Sequence, residues 1–301
     1  MKFAHGLVAL AAIITPAFSG PATTEYRGIC EASTGAYVDP EHFLVASDET
    51  NVVRLYRRGA ADPVMKVDLQ AFTGYDKSDL EGAARIGDRV YWISSHSFNN
   101  SGEDKKKRRV FFATKTTARG GAFDTVGVGK VVTDLRDGLA AAAKVAPKDL
   151  NVEGLAATPD GGLLIGLRSP LRGSNAIAVP LKNPAAVVEG AAPMWGAALE
   201  IKLDGLAIRS MERVAAPGAG YLVMAGTQKD SSTEFKLFKW SGVGAEAERV
   251  DGTDLQGIKP EGLMQIPGTG RWHLLSDDGD VCSDEGPEAQ RRFRGTEMDI
   301  K

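Results

Sequence analysis

Short apolar runs recur along this chain in a fixed order, each bounded by glycine, proline or acidic residues. The order is plainest from Asn151 to Ser169. A strand opens on Glu153-Gly154, turns at Pro159-Asp160, and is followed by the apolar run Leu163 to Leu167, which ends on Arg168-Ser169. The same order runs from Glu81-Gly82 through Val90-Tyr91-Trp92-Ile93 to His96, and from Glu261-Gly262 through Trp272-His273-Leu274-Leu275 to Asp277-Asp278. Weaker copies open at Glu212 and near Glu31. Third and fourth strands follow in each unit, as in Val52 to Tyr56 and Val64 to Leu69, or Glu234 to Phe238 and Val250 to Gly257. Runs rich in β-branched and aromatic residues between turn formers predict antiparallel strands. A repeat every 20–50 residues or so predicts a solenoid, a propeller or an array.

Within each unit the second strand is apolar on both faces, while the outer strands alternate or carry charge. A strand buried on both sides lies between neighbouring sheets. Four-stranded sheets packed radially in this way make a β-propeller. The leading acids Glu31, Glu81, Glu153, Glu212 and Glu261 recur after 50, 72, 59 and 49 residues, which predicts five blades. A sixth blade hidden in the long second interval is the alternative. That interval also holds a polar insertion, residues 98–109, ending in the basic run Lys105 to Arg109, which is read as a solvated loop edge. The stretch Leu139 to Lys144 has the composition of a short helix. The last unit lacks chain for a fourth strand, so Ala22 to Arg27 is expected to supply it and close the ring. The expected fold is all-β, a single propeller domain over residues 20–301.

The formal charge of −3 over 301 residues argues against a general nucleic-acid binder. A monomer without an integral membrane span is expected. Residues 1–19 read as a signal peptide, with Lys2, an apolar run from Phe3 to Ile14, and the small-residue exit at Ala17 and Ser19. That run is shorter than the roughly 20 residues a bilayer span needs. The mature protein is therefore expected to be periplasmic or secreted. Export favours a disulfide between Cys30 and Cys282. It would staple the seam of the ring and contribute about 4–5 kcal/mol in the chain-entropy picture. Two unpaired buried thiols are the alternative.

In an antiparallel meander the start of the first strand and the end of the second lie on one face of the disc. Glu81, Glu153, Glu212 and Glu261 should therefore surround one mouth of the axial channel, beside the corner residues Asp48, Glu49, His96, Arg168, Asp277 and Asp278. Those six corner residues are the candidate ligand-binding set. Turns such as Pro217-Gly218 and Pro267-Gly268 belong to the other face. Convergent carboxylates repel one another unless a cation compensates or their pKa values rise. All-oxygen surroundings favour a hard cation such as Ca²⁺. Glu81, Glu153 and Glu261 are thus candidate metal ligands, and His96 and Glu153 candidate catalytic groups. A structural reading competes: each glutamate clasps backbone N–H groups of the next blade, with the adjacent glycine allowing close approach. The acidic tail Asp277 to Glu285 lacks the spacing of an EF-hand loop. HExxH, GxSxG and CxxC are absent.

The phrases Ile29-Cys30-Glu31-Ala32-Ser33, Glu81-Gly82-Ala83-Ala84-Arg85, Val152-Glu153-Gly154-Leu155-Ala156, Gly205-Leu206-Ala207-Ile208-Arg209-Ser210 and Leu275-Ser276-Asp277-Asp278-Gly279 resemble a bacterial family, catalogued as domain of unknown function 3616. The resemblance covers nearly the whole mature chain and implies a propeller-like fold without an established activity. More distantly, the chain is similar to the esterase-like domain related to phytases and to gluconolactonase-type propellers, in which an axial glutamate binds a metal. Only Glu81, Glu153 and Glu261 keep the Glu-Gly form. Two functional classes follow. One is an exported binding module that holds a small ligand, metal ion or partner at the acidic mouth. The alternative is a calcium-assisted hydrolase of phosphoesters or lactones, with His96 or an acid as proton shuttle.

Overall fold

The structure, a computed structural model, describes residues 22–99, 101–216, 218–229, 234–253, 255–283 and 286–300. The proposed signal peptide, Pro217, Asp284 and Glu285 lie outside the described residues. Among the described residues the strands form five four-stranded antiparallel sheets. β1 (Ala22–Arg27) comes first in the chain but belongs to the last blade. Blade 1 holds β2 (Thr34–Tyr37), β3 (His42–Ala46), β4 (Val52–Arg57) and β5 (Pro63–Asp68). Blade 2 holds β6 (Leu80–Ile86), β7 (Arg89–Ser94), β8 (Phe111–Arg119) and β9 (Ala122–Val132). Blade 3 consists of β10 (Asn151–Ala157), β11 (Leu163–Arg172), β12 (Asn175–Leu181) and β13 (Leu199–Lys202). Blade 4 consists of β14 (Ala207–Arg213), β15 (Tyr221–Gly226), β16 (Phe235–Trp240) and β17 (Ala247–Val250). Blade 5 has β18 (Pro260–Gln265), β19 (Arg271–Ser276) and β20 (Arg292–Asp299), with β1 as its outer strand.

The inner strands touch in cyclic order, β2 to β6, β10, β14, β18 and back to β2, so the sheets close into a ring. β1 pairs with β20 from Ala22↔Glu297 to Arg27↔Arg292. Among the described residues the long second interval holds no sixth blade. It is taken up by the extended β8–β9 hairpin, the polar insertion and a helix, Leu135–Ala143.

Burial follows the hydrophobic pattern. β15 is buried along its whole length, as are Phe43 to Ala46 of β3 and Val90 to Ser94 of β7. Each of these strands fills the space between two sheets, which is why polar alternation disappears there. The glycines after the axial glutamates let the blades approach. A Cβ on Gly82 would lie 2.9 Å from Leu155 Cβ of blade 3, and one on Gly154 would lie 2.7 Å from Ile208 Cγ2 of blade 4. Gly154→Ala is therefore expected to cost about 1–3 kcal/mol by overpacking, read as a lower urea midpoint with an unchanged m-value. A loss under about 0.5 kcal/mol would show that the blades yield freely.

The seam between blades 5 and 1 is closed three ways. Tyr26 of β1 packs among Phe43, Tyr56 and Phe293 with ring centroids 5.3 Å apart in each pair. Tyr37 Oη lies 3.0 Å from Nδ1 of buried His273, a core role for that histidine. Cys30 and Cys282 form a disulfide across a sequence separation of 252.

Candidate functional site

Four inner strands break register at the same place. The irregularity falls between Leu80 and Gly82, Val152 and Gly154, Ile208 and Ser210, and Pro260 and Gly262. A bulge leaves one residue outside the ladder and re-aims its side chain. The displaced residues are Glu81, Glu153, Arg209 and Glu261, and all four line one axial cavity of about 510 Å³. Glu31, Asp48, Arg168, Lys259, Asp277 and Asp280 complete its wall. A wider opening of about 700 Å³ shares Asp48, Glu81 and Arg168 with it and adds Glu49, Lys77, Asp79 and Arg108, among others.

Arg209 takes the blade 4 position where an acid was expected. The expected residue, Glu212, sits further along β14 and borders a different cavity with Tyr37, Arg85, Gln265 and Pro267. Burial pushes the Glu212 carboxyl up to about 8. The signal for Arg209 is present in the sequence. An apolar, a charged and a small residue follow one another in Leu80-Glu81-Gly82, in Val152-Glu153-Gly154 and again in Ile208-Arg209-Ser210. The charge sign differs while the backbone position does not.

The site has two electrostatic halves. Toward blades 3 to 5 the acids are neutralised. Glu153 Oε1 lies 2.7 Å from Arg168 Nη1, and its Oε2 lies 2.8 Å from Arg209 Nε. Arg209 also binds Glu261 Oε1 through Nη2, so one buried guanidinium joins three blades. Burial opposes the charge on Arg209, but Glu153 and Glu261 outweigh it and raise its pKa. For Glu261, burial raises the carboxyl while Arg209 pulls against it. Lys259 pairs with Asp280. The inter-blade clasp is thus ionic where Glu153 and Glu261 are concerned, with arginine as the partner.

Toward blades 1 and 2 carboxyl groups outnumber the basic side chains. Asp79 Oδ2 lies 2.6 Å from Arg108 Nη2, and Glu49 binds Lys77. Asp48, Asp79 and Glu81 bring carboxylate oxygens within 4.8 Å of one another, and Glu31, Asp48 and Glu49 do the same. Burial pushes Asp48 up to about 9, with Glu31 adding to the rise. Glu81 is held well above the ordinary carboxylate range by burial, then by Asp79, Glu153 and Asp48. Oxygen-only donors at this spacing fit a hard divalent cation, whose ligand oxygens lie about 2.3–2.6 Å from the ion. Either group of carboxylates can hold such an ion.

The sequence-derived candidates divide accordingly. Asp48, Glu49, Arg168 and Asp277 line the two openings, as do Glu81, Glu153 and Glu261. His96 lines neither. It is fully buried with φ of 55°, its Nδ1 lies 3.0 Å from Ser94 O, and burial pushes it down to about 4. Asp278 also lines neither opening. It accepts 2.9 Å bonds from Arg294 N and Nε and a 2.8 Å bond from Ser276 Oγ, anchoring β20. Asp79, Lys77, Arg108 and Lys259 were not anticipated. They lie outside the repeated phrase, and only the fold brings them to the mouth. The polar insertion is tied down by Arg136, whose guanidinium lies 4.7 Å from the Phe98 ring centroid and 2.5 Å from Asp104 Oδ1. Lys105 and Lys106 of its basic run are exposed, whereas Lys107 to Arg109 are half-buried.

No protein-family model and no curated protein matches the chain. Solved structures do match. The major allergen Mala s 1 of Malassezia sympodialis aligns over 94% of this chain and 97% of its own, with a TM-score of 0.57 at 9% identity. Glutaminyl cyclase of Myxococcus xanthus covers 93% and 97% with a TM-score of 0.47 at 15% identity. The PQQ-bound aldose sugar dehydrogenase of Streptomyces coelicolor covers 92% and 98% with a TM-score of 0.41 at 12% identity. At these identities the likeness to Mala s 1 is one of fold. Among the described residues no helix is long and apolar enough to cross a membrane.

Proposed function

We propose that this is an exported binding propeller whose axial mouth takes a hard divalent cation, Ca²⁺ foremost, on the blade 1 and 2 side. The observation that carries the reading is the gathering of Asp48, Asp79 and Glu81 within 4.8 Å, with Arg108 as the ion-pair partner of only one of them. Glu31 and Glu49 extend the acidic surface around Asp48. Glu153 and Glu261 support the site from the other side, held by Arg209, and are not free to ligate without giving up that partner. A bound cation would supply positive charge at a place where the fold has forced carboxylates together. Export in this reading rests on the signal-peptide pattern of residues 1–19 and is compatible with the Cys30–Cys282 disulfide.

The test is thermal unfolding of chelator-treated protein with and without added Ca²⁺. Ligand at 100 times its Kd stabilises the native state by about 2.7 kcal/mol. Asp48→Asn combined with Glu81→Gln is expected to abolish that gain. An unchanged midpoint in the unsubstituted protein would rule the reading out.

A second reading, calcium-assisted hydrolysis of phosphoesters or lactones, draws on the raised pKa of Glu81. A carboxyl whose pKa is raised by burial and by neighbouring carboxyls is suited to general-acid work. Because His96 lines neither opening, Glu81 takes the proton-shuttle role in this reading, with the cation held by Glu31, Asp48 and Glu49 instead. Turnover on an ester, phosphate or lactone panel that disappears in Glu81→Gln would support it. A silent panel would leave the binding reading alone.

A further inference from the structure

The disulfide and the acidic mouth share their chain segments. Glu31 follows Cys30, and Asp277 to Asp280 come just before Cys282. Glu31 forms an isolated antiparallel bridge with Asp277, and Asp278 N donates to Cys30 O at 3.1 Å. A Cβ on Gly279 would lie 2.3 Å from Glu31 Oε1 and 2.7 Å from its Cγ, so the backbone of this segment is pressed against the Glu31 side chain. Glu31 in turn crowds Asp48. Around the disulfide, residues 279–283 have no strand of their own, and both Asp277 and Asp280 line the cavity. Cys30 is completely buried, whereas Cys282 is partly exposed.

We propose that the Cys30–Cys282 disulfide is a redox control on cation uptake at the mouth. Oxidised, it holds Glu31 and Asp277 in the wall beside Asp48. Reduced, it frees the 277–283 segment, and the wall loses its definition. The reductant is a dithiol. Its thiolate attacks the accessible Cys282 sulfur, the S–S bond breaks, and the Cys30 sulfur leaves as a thiolate that takes up a proton. The second thiol of the reductant then resolves the mixed disulfide, and Cys282 takes up a proton in its turn. Two protein thiols form, and the reductant leaves as its own disulfide after giving up two electrons. The proposal rests on the cation reading above.

The experiment is calorimetric titration of Ca²⁺ into the oxidised protein, the dithiothreitol-reduced protein and the Cys30→Ala/Cys282→Ala variant, with hydrogen exchange followed across residues 277–283. Oxidised protein is expected to bind. The other two forms should bind at least about tenfold more weakly, with faster exchange in that segment and unchanged exchange in β7, β11 and β15. If the reduced forms unfold, Glu31→Gln in the oxidised protein is expected to lose affinity by a similar factor with the disulfide intact; unchanged affinity there overturns the proposal. Affinity that ignores redox state also overturns this proposal and spares the cation reading. Absence of binding to the oxidised protein overturns both.

Discussion

Arg209→Met is expected to destabilise the propeller by about 3–5 kcal/mol, the range for removing one partner of a buried ion pair. The guanidinium is 5% exposed and holds Glu153 and Glu261 together from two different blades. Without it, Glu153 keeps Arg168 while Glu261 loses its arginine, and the carboxyls crowd together beside Glu81. Their pKa values rise in the native state, so the native protein keeps protons that the unfolded chain has lost. Stability then falls as pH rises, and the loss is expected to be larger at pH 8 than at pH 5. Arg209→Lys should recover only part of the loss, because one ammonium cannot reproduce the forked contact to two carboxylates. Millimolar Ca²⁺ should also recover part of it, since the variant offers Glu81, Glu153 and Glu261 together. Urea unfolding at the two pH values, with and without Ca²⁺, measures all of this. A loss under about 1 kcal/mol that is the same at both pH values would mean that Arg209 is not the counter-ion of the ring.

The pH dependence of the unsubstituted protein is the second large effect. Asp48 moves from an ordinary 3.8 to about 9 on folding. Between roughly pH 4 and pH 9 the native state therefore holds a proton that the unfolded chain has released. Unfolding free energy falls with rising pH across that window, by at most about 1.4 kcal/mol per pH unit from this one group, and levels off above it. Asp48→Asn should flatten the curve, and the difference between the two proteins reads Asp48 together with the carboxyls it interacts with, Glu31 first. A cation reverses the sign of the problem by favouring the ionised carboxyl. Calcium binding should release protons and tighten as pH rises. Titration in two buffers of different ionisation enthalpy counts the protons. Equal pH profiles for the two proteins, or proton-neutral binding, would contradict this account of Asp48.

The ring was legible in the sequence because its causes are local. Strands sandwiched between sheets must be apolar on both faces, as Leu163 to Leu167 are, and the closing strand was implied by a last unit that ran short of chain. The Glu-Gly pairs marked the axis because the glycine makes room for the next blade while the glutamate leaves the ladder. The charge pattern of the site was less legible. Blade 4 keeps the backbone geometry but carries Arg209, so the acidic pattern along the chain points to Glu212 instead. His96 follows the end of β7 closely enough to have been placed at the mouth, yet its left-handed φ and the 2.8 Å bond from its N–H to Arg108 O go with a buried ring away from the openings. Asp79 and Arg108 meet only because the insertion folds back over blade 2. No spacing along the chain encodes that contact.

The central claim, that the blade 1 and 2 carboxylates hold a divalent cation, is tested most directly by anomalous diffraction from crystals of oxidised protein grown with Mn²⁺. The expected result is a peak bounded by Asp48, Asp79 and Glu81, lost in Asp48→Asn/Glu81→Gln. A map without a peak there, or with its peak between Glu153 and Glu261 or in the Asp277 to Cys282 segment, would contradict it.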